Sequence, residues 1–114
     1  MDKNDARVQE KTGNEFWVEE KDGVLTLRFT QAAQEEVGTI MYAELPLEEQ
    51  TLKKGDVLVS VEGDKAVTEF LAPVSMKIVQ WNTQIEENPE QLHAADPANN
   101  WIVSYTHLLD TSVR

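Results

Sequence analysis

The stretch from Val57 to Pro73 constrains the fold of this chain more than any other. Val57, Val59 and Val61 alternate with Leu58, Ser60 and Glu62, the period-two pattern of a strand with one buried face. Val67 to Leu71 again mixes β-branched, aromatic and polar residues, as strands do. Between them, Gly63-Asp64-Lys65-Ala66 supplies turn chemistry. Glycine tolerates unusual backbone angles, and aspartate bonds to nearby backbone N–H groups. The pattern predicts a β-hairpin with Lys65 at its tip. An amine placed there stands away from the body of the domain, where a long group could be attached to visit other proteins. Most exposed turn lysines only solvate the surface, so this stretch alone leaves both roles open.

The 114 residues suffice for one domain with a modest core. Hydrophobic residues make up 40%, enough to drive folding. The net charge of -11, from 21 acidic and 10 basic side chains, disfavours nucleic-acid phosphates and anionic membranes. It favours basic patches on partner proteins. With no cysteine, disulfides, thiolate metal sites and a Cys nucleophile are excluded. The start, Met1 to Asp5, lacks the apolar core of a signal peptide, and no apolar run reaches membrane-spanning length. A cytoplasmic protein is expected. His93 and His107 show no metal-ligand spacing and no adjacent Ser or Cys nucleophile. They read as surface or helix-packing histidines, and no catalytic constellation appears.

Residues 1–14 are polar and read as a flexible arm. Order is expected from Phe16-Trp17-Val18, with a hairpin at Asp22-Gly23 and a strand through Leu25, Leu27 and Phe29. Thr30 to Gly38 reads as a short helix capped by Thr30 and ended by Gly38. Its acids Glu35 and Glu36 suit a solvated face. Thr39 to Leu45 is a further strand, followed by Pro46 and a polar loop from Glu48 to Thr51. After the central hairpin, Lys77 to Trp81 is strand-like. Asn88-Pro89-Glu90-Gln91 then has the form of a helix start, with Gln91 reaching back as in a capping box and Asp96-Pro97 as the stop. Trp101 to Tyr105 is a last strand, and Trp17, Trp81 and Trp101 suit core or edge packing. Ile40-Met41 and Ile78-Val79, either side of the hairpin, form a faint internal repeat. The fold class that follows is mostly β: a flattened β-sandwich or barrel of two quasi-symmetric antiparallel sheets with short peripheral helices. The domain spans 15–106, with 107–114 as a tail.

Four stretches, in order, resemble the H protein of the glycine cleavage system, a lipoyl carrier. They are Gln34-Glu35-Glu36-Val37-Gly38-Thr39-Ile40 with Tyr42-Ala43-Glu44-Leu45-Pro46; Glu62-Gly63-Asp64-Lys65-Ala66; Ala72-Pro73-Val74-Ser75; and Glu87 to Leu92 with Asp96-Pro97 and Trp101. The resemblance implies a lipoyl/biotinyl-domain-like sandwich with lipoate joined to the Lys65 amine as an amide. Glu62, Gly63, Asp64 and Ala66 would then shape the tip for a lipoate–protein ligase or a lipoyl/octanoyl transferase. It also implies a carrier that is a substrate of its partners and not itself an enzyme: glycine decarboxylase, aminomethyltransferase and dihydrolipoamide dehydrogenase. A monomer fits that role. Biotinyl domains place Met on both sides of their lysine, where this chain has Asp64 and Ala66, so lipoate is favoured over biotin.

The chain also departs from the family pattern. Gly63-Asp64 stands where Ser-Val is usual, Met76 where Gly is usual, and Asn14-Glu15-Phe16-Trp17 where His-Glu-Trp is usual. These point towards the divergent H-like proteins. That branch implies a redox-linked carrier partnered by a sirtuin-type ADP-ribosyltransferase and a macrodomain hydrolase, with Glu35 or Glu36 as the modified acid. An interaction module with Lys65 unmodified is the alternative from another functional class.

Overall fold

The computed structural model describes residues 8–11, 15–93 and 98–108, the first of these segments by its backbone only. Nine strands among them form two sheets. The first contains β1 (Val8–Lys11), β4 (Ile40–Glu44), β6 (Val57–Gly63) and β7 (Val67–Leu71), in the order β1-β7-β6-β4. The second contains β2 (Phe16–Lys21), β3 (Val24–Phe29), β5 (Thr51–Leu52), β8 (Met76–Trp81) and β9 (Trp101–His107), in the order β2-β3-β9-β8-β5. All pairings are antiparallel except β1 with β7. The expected class, two antiparallel sheets with short helices, is the one found.

Alternation explains where the core lies. On β6, Val59 and Val61 are buried while Glu62 is exposed. Phe70 from β7 meets Phe29 of β3 and Phe16 of β2, with ring centroids 4.6 and 5.9 Å away. This aromatic trio joins the two sheets, burying apolar area that neither could bury alone. Between β2 and β3 the Asp22-Gly23 turn has φ of 54° and 81° at its two central residues, as a right-twisted two-residue hairpin requires.

Helix α1 (Gln31–Val37) follows β3. Thr30 accepts a bond from the Ala33 N–H, and Gly38 ends the helix at φ 78°. Ala33 and Val37 are its buried positions. A one-turn helix α2 (Gln84–Glu87) precedes the 3₁₀ segment Pro89–His93.

Several expectations change. The arm over 1–14 contains β1, while residues 1–7 and 12–14 lie outside the described residues. His107, placed in the tail, belongs to β9 opposite Met76, and 109–114 lie outside the described residues. The polar loop before Leu52 ends in β5. The capping box at Asn88 does not form, because the Asn88 N–H is taken by the Gln84 carbonyl at 2.8 Å. The side-chain oxygen of Gln91 is buried without a partner among the described residues. The expected stop at Asp96-Pro97 lies outside the described residues. Of the tryptophans expected to pack in the core or at its edge, Trp81 packs against the core and donates from Nε1 to the Glu49 carbonyl, whereas Trp17 is 55% exposed and donates likewise to the Phe29 carbonyl.

Candidate functional site at the β6–β7 tip

The ladder of β6 and β7 ends at the pair Glu62–Val67, and the Gly63 N–H donates to the Ala66 carbonyl at 2.9 Å. Lys65 therefore stands on a closed four-residue turn, with its side chain exposed. The turn does not stand free of the domain. It is pressed against the C-terminal end of α1 and the start of β4. The Lys65 N–H donates to the Val37 carbonyl at 3.1 Å, and the Asp64 N–H to the Thr39 carbonyl at 3.0 Å. Asp64 Oδ1 in turn accepts the Thr39 N–H at 2.9 Å. Two of these groups, the Val37 and Thr39 carbonyls, belong to the helix end and its exit, where backbone acceptors lack intrahelical partners.

Two glycines permit this approach. A Cβ at Gly63 would collide with the Val37 carbonyl oxygen, and one at Gly38 with Asp64 Oδ1. The reason for glycine differs between them. Gly38 has the positive φ expected of a helix end, whereas Gly63 does not have positive φ. Gly63 is needed for contact rather than for backbone angle, which the turn chemistry of the sequence did not reveal.

Beside the tip lies an open cleft of about 440 Å³ lined by Gln31, Gln34, Glu35, Gly38, Thr39, Asp64, Lys65 and His93. The α1 residues among them, Gln31, Gln34 and Glu35, are spaced i, i+3 and i+4, one face of a helix, and the cap Gly38 follows at i+7. Lys65 Nζ donates to the Glu35 carbonyl at 3.4 Å. Gln31 Nε2 donates to the Glu35 carboxylate at 3.1 Å. His93 Nε2 donates to the Gly38 carbonyl at 2.9 Å, tying the 3₁₀ segment to the same corner.

Of the residues singled out in the sequence, Lys65, Asp64 and Glu35 share this cleft. Gly63 lies beneath the tip, against Val37. Glu62 lies on the outer face of the first sheet, opposite Tyr42 and Val67, and Ala66 closes the turn. Glu36 is off the lining face of α1. Gln31, Gln34, Thr39 and His93 were not foreseen. A polar stripe on α1 was readable, but such a stripe is ordinary for a solvated face, and nothing local tied His93 to Gly38. Among the described residues no cluster of three His, Cys, Asp or Glu side chains could hold a metal ion, and no helix is long and apolar enough to cross a membrane.

A family model described as glycine cleavage H-protein matches residues 7–111, a span that holds the tip and every cleft residue. The chain belongs to the glycine cleavage H-protein family. It is similar to the glycine cleavage system H protein of Listeria innocua, 35% identical over 97 residues, covering 85% of this chain and 78% of that one. The H protein of Staphylococcus epidermidis is 39% identical over 87 residues, covering 76% of this chain and 69% of that one. The crystal structure of an H protein from Mycobacterium marinum superposes with a TM-score of 0.72 at 25% identity, covering 82% of this chain and 79% of that chain. The family resemblance read from the four sequence stretches is thus shown.

Proposed function

We propose that this H-family chain is a lipoyl carrier in which the Lys65 amine bears lipoate as an amide, and that it is a substrate of its partners rather than a catalyst. The observation that carries the reading is an exposed amine on a turn whose backbone is fixed to α1 and β4 by the Val37 and Thr39 bonds. The residues present fit such a group. Nζ has one bond among those described, to the Glu35 carbonyl at a long 3.4 Å, and the cleft beside it is open to solvent. The lipoyl group, when bound, supplies a dithiolane that exchanges electrons and cargo with other active sites.

The chain's own residues supply the base of that arm. Gly38 and Gly63 let the turn sit against α1, and Asp64 with Thr39 fixes its orientation. His93 braces the Gly38 carbonyl. The Glu35 carbonyl holds the ammonium of the unmodified chain. To be acylated, Nζ must leave this carbonyl, and water can replace that exposed bond at small cost. The partners that follow are a lipoate–protein ligase or a lipoyl/octanoyl transferase, then glycine decarboxylase, aminomethyltransferase and dihydrolipoamide dehydrogenase.

Intact mass after incubation with lipoate, ATP and ligase tests this, the ATP activating the lipoate carboxyl so that the amine can displace its leaving group. One lipoyl increment on the wild type and none on Lys65→Arg is expected. No increment with any ligase, on a folded chain, would favour the unmodified interaction module.

One observation favours a second, finer reading, the H-like branch with ADP-ribosylation of an acid near the arm. Glu35 lines the Lys65 cleft and its carbonyl meets Nζ. A sirtuin-type transferase would modify Glu35 or Glu36, and a macrodomain hydrolase would reverse it. Unchanged modification of a Glu35→Gln, Glu36→Gln double variant would end this reading. Vigorous glycine–bicarbonate exchange with decarboxylase would favour the glycine cleavage role instead.

A further inference from the structure

Resting on the carrier reading, we infer that the outer face of the four-stranded sheet beside the tip is the docking surface for the enzyme that acylates Lys65. That enzyme presents lysine and arginine side chains around an apolar socket.

The argument begins with register. Tyr42 of β4 stands opposite Glu62 of β6, and Glu62 opposite Val67 of β7. Directly opposed residues share one face of a sheet, so the three form a single row, about 10 Å from Tyr42 to Val67. The next row on that face is Glu44, Ser60 and Glu69. The row between them, Ala43, Val61 and Thr68, points inward and is buried. The Tyr42–Glu62–Val67 row is the last before the turn that carries Lys65, so an enzyme whose active site encloses Nζ has this face within reach.

A solvated antiparallel face should be polar. This one is not. Tyr42 is 67% exposed and Val67 39%. The register of β4 against β6 shifts between Ile40 and Tyr42. That bulge leaves Met41, at 48%, exposed next to Tyr42. Bulges re-aim side chains and gather near functional sites. Single exposed apolar residues are ordinary, but three grouped around one carboxylate beside the attachment point form a patch. Tyrosine is also among the residues that dominate binding at interfaces.

Charge decides the occupant. The patch is bordered by Glu44, Glu62 and Glu69; β4, β6 and β7 contain no lysine or arginine, and the one basic residue of β1, Lys11, is paired in register with Phe70 of the inward set. An acidic rim around an apolar centre complements a basic rim around an apolar socket and steers it in. The α1 side of the tip, with Gln31, Gln34 and Glu35, offers no comparable apolar anchor.

The test measures steady-state lipoylation by a lipoate–protein ligase that accepts the wild-type chain, with thermal melts to verify folding. Tyr42→Ser should raise KM about tenfold at unchanged kcat, the change a lost anchor produces. Glu44→Lys with Glu69→Lys should raise KM and flatten its dependence on salt. Glu20→Lys, exposed on β2 of the other sheet, should stay within about twofold, as a remote rim charge does. KM within twofold of wild type for both test variants would overturn the docking surface while leaving the carrier reading standing. A wild type that no ligase acylates would overturn the carrier reading and this inference with it.

Discussion

Replacing Gly38 with alanine should damage stability and lipoylation together. Gly38 has φ 78° and ψ -148°, a region open to glycine that costs other residues about 1–3 kcal/mol. The added Cβ would also collide with Asp64 Oδ1 and lie 2.9 Å from Lys65 Cγ. Asp64 must then swing away, losing its bond from the Thr39 N–H. Water can replace that exposed bond, so the loss adds about 1 kcal/mol at most. The sum is about 1–4 kcal/mol, a fall in Tm of about 10 °C near the middle of that range for a domain of this size. Gly23→Ala is the matched control. Its φ is 81° but nothing lies within 4 Å of the added Cβ, so it should cost about 1 kcal/mol of backbone strain and leave acylation untouched. Thermal melts and the rate of lipoyl transfer to Lys65 would be followed for both. Equal losses of Tm in the two variants, with equal transfer rates, would refute the claim that the tip is clamped through Gly38.

Three other perturbations follow from the core. Thr68 is fully buried, its hydroxyl without a partner among the described residues, so Thr68→Val should raise stability by about 1 kcal/mol, seen as a higher denaturant midpoint; a lower midpoint would show that the hydroxyl has a partner. Asn82 is buried and donates from Nδ2 to the Asn99 and Trp101 carbonyls at 3.2 and 2.8 Å, so Asn82→Ala should lose about 2–3 kcal/mol in the same assay, and a loss below about 0.5 kcal/mol would contradict it. Burial raises the Tyr105 phenol above its usual 10.0. The unfolded chain therefore ionises first, and the stability Tyr105 contributes is complete below pH 10 and declines as pH rises above it. Tyr105→Phe should flatten the fall in urea midpoint between about pH 9 and 11, and parallel profiles would contradict this.

What could be read from the sequence was local. The β6–β7 hairpin announces itself through the alternation of Val57, Val59 and Val61 and through its turn residues. α1 does so through Thr30 and Gly38, both of which cap it as expected. What could not be read depends on partners distant in the chain. Val8–Lys11 has a single apolar residue and becomes a strand only because β7 offers an edge in parallel register. β5 has two residues, too few for a pattern. The cleft gathers residues from 31 to 93, and no spacing in the sequence joins His93 to Gly38. Asn88 carried a sound helix-start signal, yet α2 arrived first and took its N–H. The turn signal marks Gly63, but the contact with the Val37 carbonyl that requires glycine there comes from a segment distant in the chain.

The contact beneath Gly63 matters for the proposed carrier. A seven-residue helix such as α1 is too short to hold itself in water. It is held by Ala33 and Val37 in the core, and its last acceptors by the Lys65 and Asp64 amides. The turn in return gets its position from α1. Each is therefore part of the other's stability, and the lysine's backbone belongs to the cooperative fold rather than to a loose loop. Freedom begins only at the Lys65 side chain. An arm with a fixed origin sweeps a defined volume, so every enzyme that docks on the same domain meets the arm's end at a predictable distance. A turn free to wander would enlarge that volume and dilute the encounter. In the proposed carrier, the two glycines that let turn and helix touch, Gly38 while also ending the helix, would serve the positioning of the arm as directly as Lys65 would serve its attachment.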